Sequence, residues 1–166
     1  PLPSEAMSLD WLAKALPESS AQQRQQLLYL AAGSPLLAVN MHAAGVPAQR
    51  ELVVEGVKKL LKQQVAPSQL TETLNPVALT LLFDWFCDWA QLILRYQMTQ
   101  DEEGLGQQDM RAVVQYLAGK TPQSRILNIQ DWLLEQRQKV MSKANLNRAL
   151  LLEALLVQWA SLAVPR

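Results

Sequence analysis

The sequence predicts an all-α protein, and three features of the chain support this fold class. Apolar residues recur at helical spacing along most of the 166 residues, and no stretch shows the period-two alternation of a strand. β-Branched residues, which favour strands, are few. Prolines and glycines lie mainly between the periodic stretches, where they end one helix or begin the next. We therefore expect a small three-helix domain over residues 1–45, followed by a helical bundle over residues 46–166.

The first two helices are predicted from the residues at their ends. Ser4 can cap a helix that runs to about Leu16, and Pro17 ends it because proline lacks the N–H that a helix needs. Ser19 or Ser20 caps a second helix, which begins polar and becomes apolar.

The third helix follows the second after one tight turn. Gly33 is expected to end the second helix as its C′ residue, since glycine adopts a positive φ without strain. Ser34 then caps the third helix, and Pro35 takes the first helical position before Leu36. The sequence Gly-Val-Pro over residues 45–47 interrupts the pattern again, and the predicted domain boundary lies there.

The second domain is expected to hold five main helices. These are predicted over 47–65, 76–98, 108–118, 122–142 and 145–163, with a short helix or turn over 67–74 and an acidic loop over 99–107. Asn75 should cap the helix that starts with Pro76, and Gly119 should end the helix over 108–118.

The last helix, 145–163, has no glycine or proline and contains seven leucines. A helix that is apolar nearly all round is normally buried all round. We therefore expect the helices over 76–98 and 122–142 to cover two of its sides and a neighbouring subunit to cover a third. Leu150 and Val157 lie on the opposite side, and how much of that side the chain itself covers stays open.

Composition and charge argue against several classes of function. The 15 basic and 15 acidic residues cancel, whereas proteins that bind nucleic acids or membrane surfaces normally carry an excess of Lys and Arg. No apolar run reaches the roughly 18 residues of a membrane span. The single cysteine, Cys87, excludes an internal disulfide and suits a reducing compartment. We expect a cytoplasmic protein without direct nucleic-acid or membrane contact and, because the chain starts without Met, a piece of a longer protein.

Few residues are candidates for chemistry. His42 is the only histidine, and no second histidine or nearby cysteine completes the three or four ligands of a metal site. Cys87 lies in an apolar helix, which is typical of inert packing. Asp84 and Asp88 lie one turn apart, but polar residues continue their stripe along the helix. A solvated or partner-facing stripe is therefore favoured over a pair of catalytic carboxylates.

The remaining candidates favour solubility and packing. Lys58, Lys59 and Lys62 could touch phosphate, but three lysines on a helix more often keep an exposed face soluble. The five tryptophans are interpreted first as core residues and second as interface anchors: Trp11, Trp85, Trp89, Trp132 and Trp159. No phosphate-binding glycine loop and no nucleophile elbow is present, so we expect no catalytic residue, cofactor or metal site.

Two segments resemble a known family. Leu30–Val39 (LAAGSPLLAV) resembles the second sensor region in the helical lid of AAA+ clamp-loader subunits, where one helix ends at Gly and Ser starts the next. Asn147–Trp159 (NRALLLEALLVQW) resembles the closing helix of a clamp-loader subunit of bacterial DNA polymerase III. The two segments stand in the right order and at about the right separation, whereas residues 47–140 match only as helices of fitting length.

The resemblance implies a lid over residues 1–45 and a collar domain over residues 46–166, without the nucleotide-fold domain. Gly33, Ser34, Pro35 and Leu36 would form the lid motif. ATP-hydrolysing members carry Arg at the position of Leu36, so the resemblance implies a member that does not hydrolyse ATP. It also implies a set of core or interface residues in the collar: Asn147, Arg148, Leu151, Leu152, Leu155, Leu156 and Trp159.

The resemblance implies a non-catalytic role in assembly. The partners would be the ATPase (gamma/tau-type) and delta-type subunits, packed in a pentameric collar so that the complex can load the sliding clamp on DNA. The parent assembly is a DNA-directed DNA polymerase, but this chain would not be the polymerase itself. Two alternatives stay open: an unrelated all-α adaptor that binds a partner helix, and a small helical-bundle enzyme, for which titratable groups are sparse.

Overall fold

The computed structural model describes residues 3–142 and 145–164, and no strand occurs in these ranges, so the all-α prediction is confirmed. The α-helices of the described part are α1 (Glu5–Ala15), α2 (Ala21–Leu30), α3 (Pro35–Ala43), α4 (Val46–Leu61), α5 (Pro67–Thr73), α6 (Leu79–Thr99), α7 (Arg111–Lys120), α8 (Gln123–Met141) and α9 (Arg148–Ala160). Short 3₁₀ turns occur at Glu102–Leu105, Gln108–Met110 and Ser161–Ala163.

The chain divides into two compact units, and the division falls between Glu51 and Leu52, inside α4. The first unit contains α1 to α3 and the beginning of α4, and the second contains the rest. The domain boundary at residues 45/46 stays a prediction.

The core of the first unit forms where α1, α2 and α3 meet. Its buried members are Leu12, Leu27, Leu28, Ala31 and Ala38, with Leu9, Leu16, Val39 and Met41 packed against them. Ser4, Ser20 and Ser34 cap the three helices, and each hydroxyl accepts a hydrogen bond from the backbone N–H three residues later. The predicted starts of these helices are therefore confirmed.

The end of α2 differs from the prediction by one residue. Ala32, not Gly33, takes the C′ position, with a φ of 52°, and Gly33 follows with a φ of 87°. The N–H of Gly33 donates to the carbonyl of Leu28 at 2.9 Å, and the N–H of Ala32 donates to the carbonyl of Tyr29 at 3.0 Å. These two bonds form a Schellman motif, which uses carbonyls that the helix leaves unsatisfied.

The helix predicted over 47–65 ends early, at Leu61. Gln63 adopts a φ of 59°, and the N–H of Gln64 donates to the carbonyl of Lys59 at 2.9 Å. The sequence gives no signal for this end, because a glutamine stands where glycine or asparagine is usual.

Two other predicted ends are wrong. α6 begins at Leu79 rather than Pro76, because residues 74–77 form a turn that side-chain hydrogen bonds hold outside the helix. Gly119 does not end α7, which continues to Lys120. A Cβ at Gly119 would meet no atom within 4 Å, so this glycine lies on an open side of the helix.

α6 is the central helix of the second unit, with ten buried side chains, and α7 and α8 pack along it. The buried residues of α8 recur at helical spacing along one face: Ile126, Ile129, Leu133 and Val140. Gly56 lets α4 approach α5 closely, since a Cβ at this position would lie 2.4 Å from Cδ1 of Leu70.

Candidate subunit interface

Asn147 and Arg148 fix the beginning of α9. Asn147 caps the helix, and its Oδ1 accepts the backbone N–H three residues later at 3.1 Å. One guanidinium nitrogen of Arg148 donates to three carbonyl oxygens, those of Leu74 (3.2 Å), Asn75 (3.0 Å) and Val77 (2.5 Å). Arg148 therefore ties α9 to the turn between α5 and α6, and both residues make their hydrogen bonds inside the chain.

Most of the residues singled out on α9 belong to the core. Leu152, Leu155, Leu156 and Trp159 are buried, and Leu151 is half-buried. The Trp159 ring lies 4.9 Å from the ring of Phe86 in an edge-to-face arrangement and 6.2 Å from the ring of Trp89. Edge-to-face pairs add a favourable quadrupole interaction to the burial of apolar area.

The helices that pack against α9 differ from the expected ones. The short helix α5 is its main neighbour in backbone contacts, and α8 contributes less. α6 reaches α9 through the aromatic rings of Phe86 and Trp89. The sequence reasoning expected α6 and α8 as cover and missed α5, because a seven-residue helix carries too little periodic signal to rank as a packing partner.

Within this chain, the side of α9 that carries Leu150 and Val157 is not covered. Leu150 is 67% exposed and Val157 is 52% exposed. The two residues are seven positions apart, so at about 100° per residue they share one face, opposite the buried one. Large apolar side chains in such a row indicate a contact with another surface.

α8 carries a second exposed apolar row, which the sequence reasoning did not single out. Leu127, Leu134 and Met141 are 44%, 47% and 45% exposed. Their seven-residue spacing confines them to a narrow stripe that extends about 21 Å at 1.5 Å per residue. This spacing was the signal that could have revealed the row, because a seven-residue repeat is the pattern of helices that pack nearly parallel. We call the rows on α8 and α9 the apolar stripes.

The predicted lid motif folds as a helix start. Ser34 caps α3, its hydroxyl accepting the N–H of Leu37 at 3.2 Å, and Pro35 is the first helical residue. Leu36 is 65% exposed. An exposed leucine offers no charged donor for a phosphate, unlike an arginine at this position.

The candidate polar residues do not assemble into a catalytic group. Asp84 forms an ion pair with Arg137, whose Nε lies 2.7 Å from Oδ1 of the carboxylate. Burial raises the pKa of the Cys87 thiol to about 11, against a smaller opposing effect of Arg137. His42 is exposed near the end of α3, and Asp88 is half-buried.

Residues 3–142 and 145–164 contain no candidate metal site and no candidate membrane span. No group of three or more His, Cys, Asp or Glu side chains there could hold a metal ion. Within the same part of the chain, every helix is too short or too polar to cross a membrane.

Of the tryptophans, only Trp11 is exposed, at 45%, and Trp132 is half-buried, while the other three are buried. Lys59 and Lys62 are exposed, as a solvated face requires.

The class of protein follows from a comparison with known families. Residues 47–161 match the model of the family described as DNA polymerase III, delta subunit, C terminal. The match includes most of α4 and all of α5 to α9. Both apolar stripes lie within it. The chain belongs to this family, which sets aside the alternative of an unrelated adaptor.

Similarity to a curated relative is more specific than the family match. The chain is 64% identical over 165 residues to the protein named DNA polymerase III subunit delta' of Pseudomonas aeruginosa. The alignment covers 99% of this chain and 50% of the relative, so the chain spans about half the length of that protein.

Proposed function

We propose that this chain is a non-catalytic assembly part of a delta-prime subunit of the bacterial DNA polymerase III clamp loader. It holds its place in the complex by packing its collar domain against neighbouring subunits, and the complex then loads the sliding clamp on DNA. The observation that carries this proposal is the pair of apolar stripes on a well-packed bundle. The family match and the relative's name support the choice of complex.

The stripes suit contacts between helices. The core of the second unit is complete without them, since Leu155, Leu156 and Trp159 on α9 are fully buried on the opposite face. A row with seven-residue spacing fits a partner helix that lies along α8 at about 20°, because the side chains of such helices interlock over several turns. A helix that crossed α8 steeply would cover only one residue of the row.

The partners are proposed to be the ATPase (gamma/tau-type) and delta-type subunits. Exposed Leu36 at the lid motif supports a subunit that does not itself hydrolyse ATP, and the complex is proposed to work in the cytoplasm. Asn147, Arg148 and Trp159 make their contacts inside the chain and position the interface. The exposed residues form the contact itself: Leu127, Leu134, Met141, Leu150 and Val157.

The test measures assembly with purified subunits. Leu127→Asp and Leu150→Asp each place a charge in one stripe, and each should weaken capture by the gamma/tau-type or delta-type subunits about 30-fold, the effect of a hot spot of about 2 kcal/mol. Matched controls place the same charge on the same exposed turns, as Asn128→Asp and Ala149→Asp. Equal binding by both stripe variants and their controls would contradict the proposal, as would failure of the unaltered protein to join the complex.

A further inference from the structure

The apolar stripe on α8 ends in a methionine. Met141 is the last residue of α8 and is 45% exposed, in line with Leu127 and Leu134 at seven-residue spacing. The other members of the two apolar stripes are leucines and one valine, whose side chains contain only saturated carbon. Met141 therefore supplies the only thioether in the stripes, and its sulfur is the one side-chain atom there that takes up oxygen under mild conditions.

The other sulfur atoms of the chain lie outside the stripes. Met98 and Met7 are 71% and 65% exposed, but neither belongs to a stripe. Met41 packs against the core of the first unit, and Met110 is 1% exposed. Cys87 is half-buried, and burial raises the pKa of its thiol to about 11, so it holds little of the thiolate that peroxides oxidise. Only one exposed sulfur therefore lies in the proposed contact.

Oxidation of Met141 would change the stripe by one atom. The thioether sulfur attacks an oxygen of hydrogen peroxide, the O–O bond breaks, and the products are the sulfoxide and water. The sulfur loses the two electrons that the peroxide gains, so the reaction needs no other reactant. The product is polar where the thioether is apolar, and its oxygen accepts hydrogen bonds. Burying this acceptor among leucines without a donor opposes packing, whereas burying the thioether favours it.

We propose that Met141 is a modification site at which a hydroperoxide forms methionine sulfoxide, and that the sulfoxide blocks packing of the α8 stripe against a neighbouring subunit. The proposal rests on the assembly role proposed above, because the sulfoxide acts on the contact that this stripe makes. Met141 is open in the free chain and becomes buried once the stripe is covered. Oxidation therefore acts on chains that have not yet joined the complex, and reduction of the sulfoxide restores their capacity to join.

The test measures capture of the chain by the gamma/tau-type and delta-type subunits before and after treatment with hydrogen peroxide. Peptide mass spectrometry gives the fraction of sulfoxide at each methionine. Complete oxidation of Met141 should weaken capture about tenfold, the effect of about 1.4 kcal/mol, because the new polar group is buried without a partner. Treatment with methionine sulfoxide reductases for both sulfoxide epimers should restore capture.

Three variants assign the effect to one sulfur. Met141→Leu keeps the stripe apolar and removes the thioether, so peroxide should leave its capture unchanged. Met98→Leu is the matched control, because Met98 is more exposed than Met141 but lies outside the stripes, and its capture should fall as in the unaltered chain. Met141→Gln places an uncharged polar group at the same position and should weaken capture about tenfold without any oxidant.

Three outcomes would overturn this proposal while the assembly role stands. The first is equal capture of treated and untreated chains when Met141 is fully oxidised. The second is an equal loss of capture in peroxide-treated Met141→Leu, which would assign the damage to another residue. The third is equal oxidation of Met141 in the free chain and in the assembled complex, which would place its sulfur outside the contact. Failure of the untreated chain to join the complex contradicts the assembly role itself, and this proposal with it.

Discussion

Single residues of α9 have roles that their sequence context only partly reveals. Arg148 and Trp159 stand in the same segment, NRALLLEALLVQW, yet one binds backbone carbonyls and the other fills the core. Cys87 lies among aromatic and acidic neighbours, and its chemistry is set by burial. For each of these residues, the structure gives a measurable consequence.

Trp159→Ala should destabilise the second unit by about 3–5 kcal/mol, because it removes a fully buried ring from the cluster with Phe86 and Trp89. Thermal or urea unfolding measures the change. Trp11→Ala is the control, since Trp11 is 45% exposed, and should destabilise the chain by much less than Trp159→Ala. An unchanged melting temperature for Trp159→Ala would show that this ring does not anchor the core.

Arg148→Met should cost about 2–3 kcal/mol, since it removes a charged donor that serves three carbonyl oxygens of the turn 74–77. Methionine keeps much of the side-chain length, so the change tests the hydrogen bonds rather than the packing. Arg95→Met on the exposed side of α6 is the control, with an expected effect within about 0.5 kcal/mol. If both variants unfold at the same urea concentration, Arg148 does not hold this turn.

Cys87 should react slowly with iodoacetamide in the folded protein, because burial raises the pKa of its thiol from 9.0 to about 11 and only the thiolate is nucleophilic. The folded state thus retains a proton that the unfolded state releases, so this group lowers stability as pH rises above 9. Alkylation rates measured from pH 8 to pH 11, with the urea-unfolded protein as control, give the two titration curves. Coincident curves would contradict the raised pKa. Cys87 is the single cysteine, so the signal is unambiguous.

At the level of elements, the ends of the helices depend on both local chemistry and packing. Serine caps at residues 4, 20 and 34 act as the sequence predicts, because a cap needs only its own first turn. The C-terminal ends of α2 and α4 use Ala32 and Gln63 at positive φ, where glycine would be expected. The positive φ costs about 1 kcal/mol of strain at each residue. The Schellman hydrogen bonds that end each helix, together with the packing of the chain that follows, outweigh this strain.

Gln63→Gly should therefore stabilise the chain by about 0.5–1 kcal/mol, because glycine adopts the φ of 59° without a Cβ clash. Gln64→Gly is the control next door. It should give no gain, since Gln64 is not among the residues with positive φ and glycine adds only entropy to the unfolded state. Chemical denaturation of both variants measures the difference, and equal stabilities would show that Gln63 is not strained.

For the whole molecule, the balance of charge and exposed apolar area shapes its behaviour in solution. The net charge is zero, and the apolar stripes on α8 and α9 lie open. A protein without net repulsion and with exposed apolar rows associates more readily than a charged one. The exposed stripes that carry the proposed assembly role should therefore also make the isolated chain prone to self-association.

Sedimentation velocity should therefore detect reversible self-association of the isolated chain as its concentration rises, and Leu134→Asp should reduce it because it places a charge in the α8 stripe. Asn128→Asp adds the same charge to an exposed position of the same helix outside the row and should have the smaller effect. If the two variants sediment alike at every concentration, net charge rather than the stripe governs association.

The sequence by itself determined the fold class and the starts of the first three helices, because caps and periodicity act over one or two turns. The resemblance of two short segments predicted the family, which the family model then confirmed. Tertiary structure alone decided which apolar residues of α9 are covered. Leu150 and Trp159 are both apolar residues of α9. α5 and the aromatic rings of α6 cover the side with Trp159, whereas Leu150 stays 67% exposed. Burial depends on neighbours distant in sequence, and no local pattern records which side of a helix they reach.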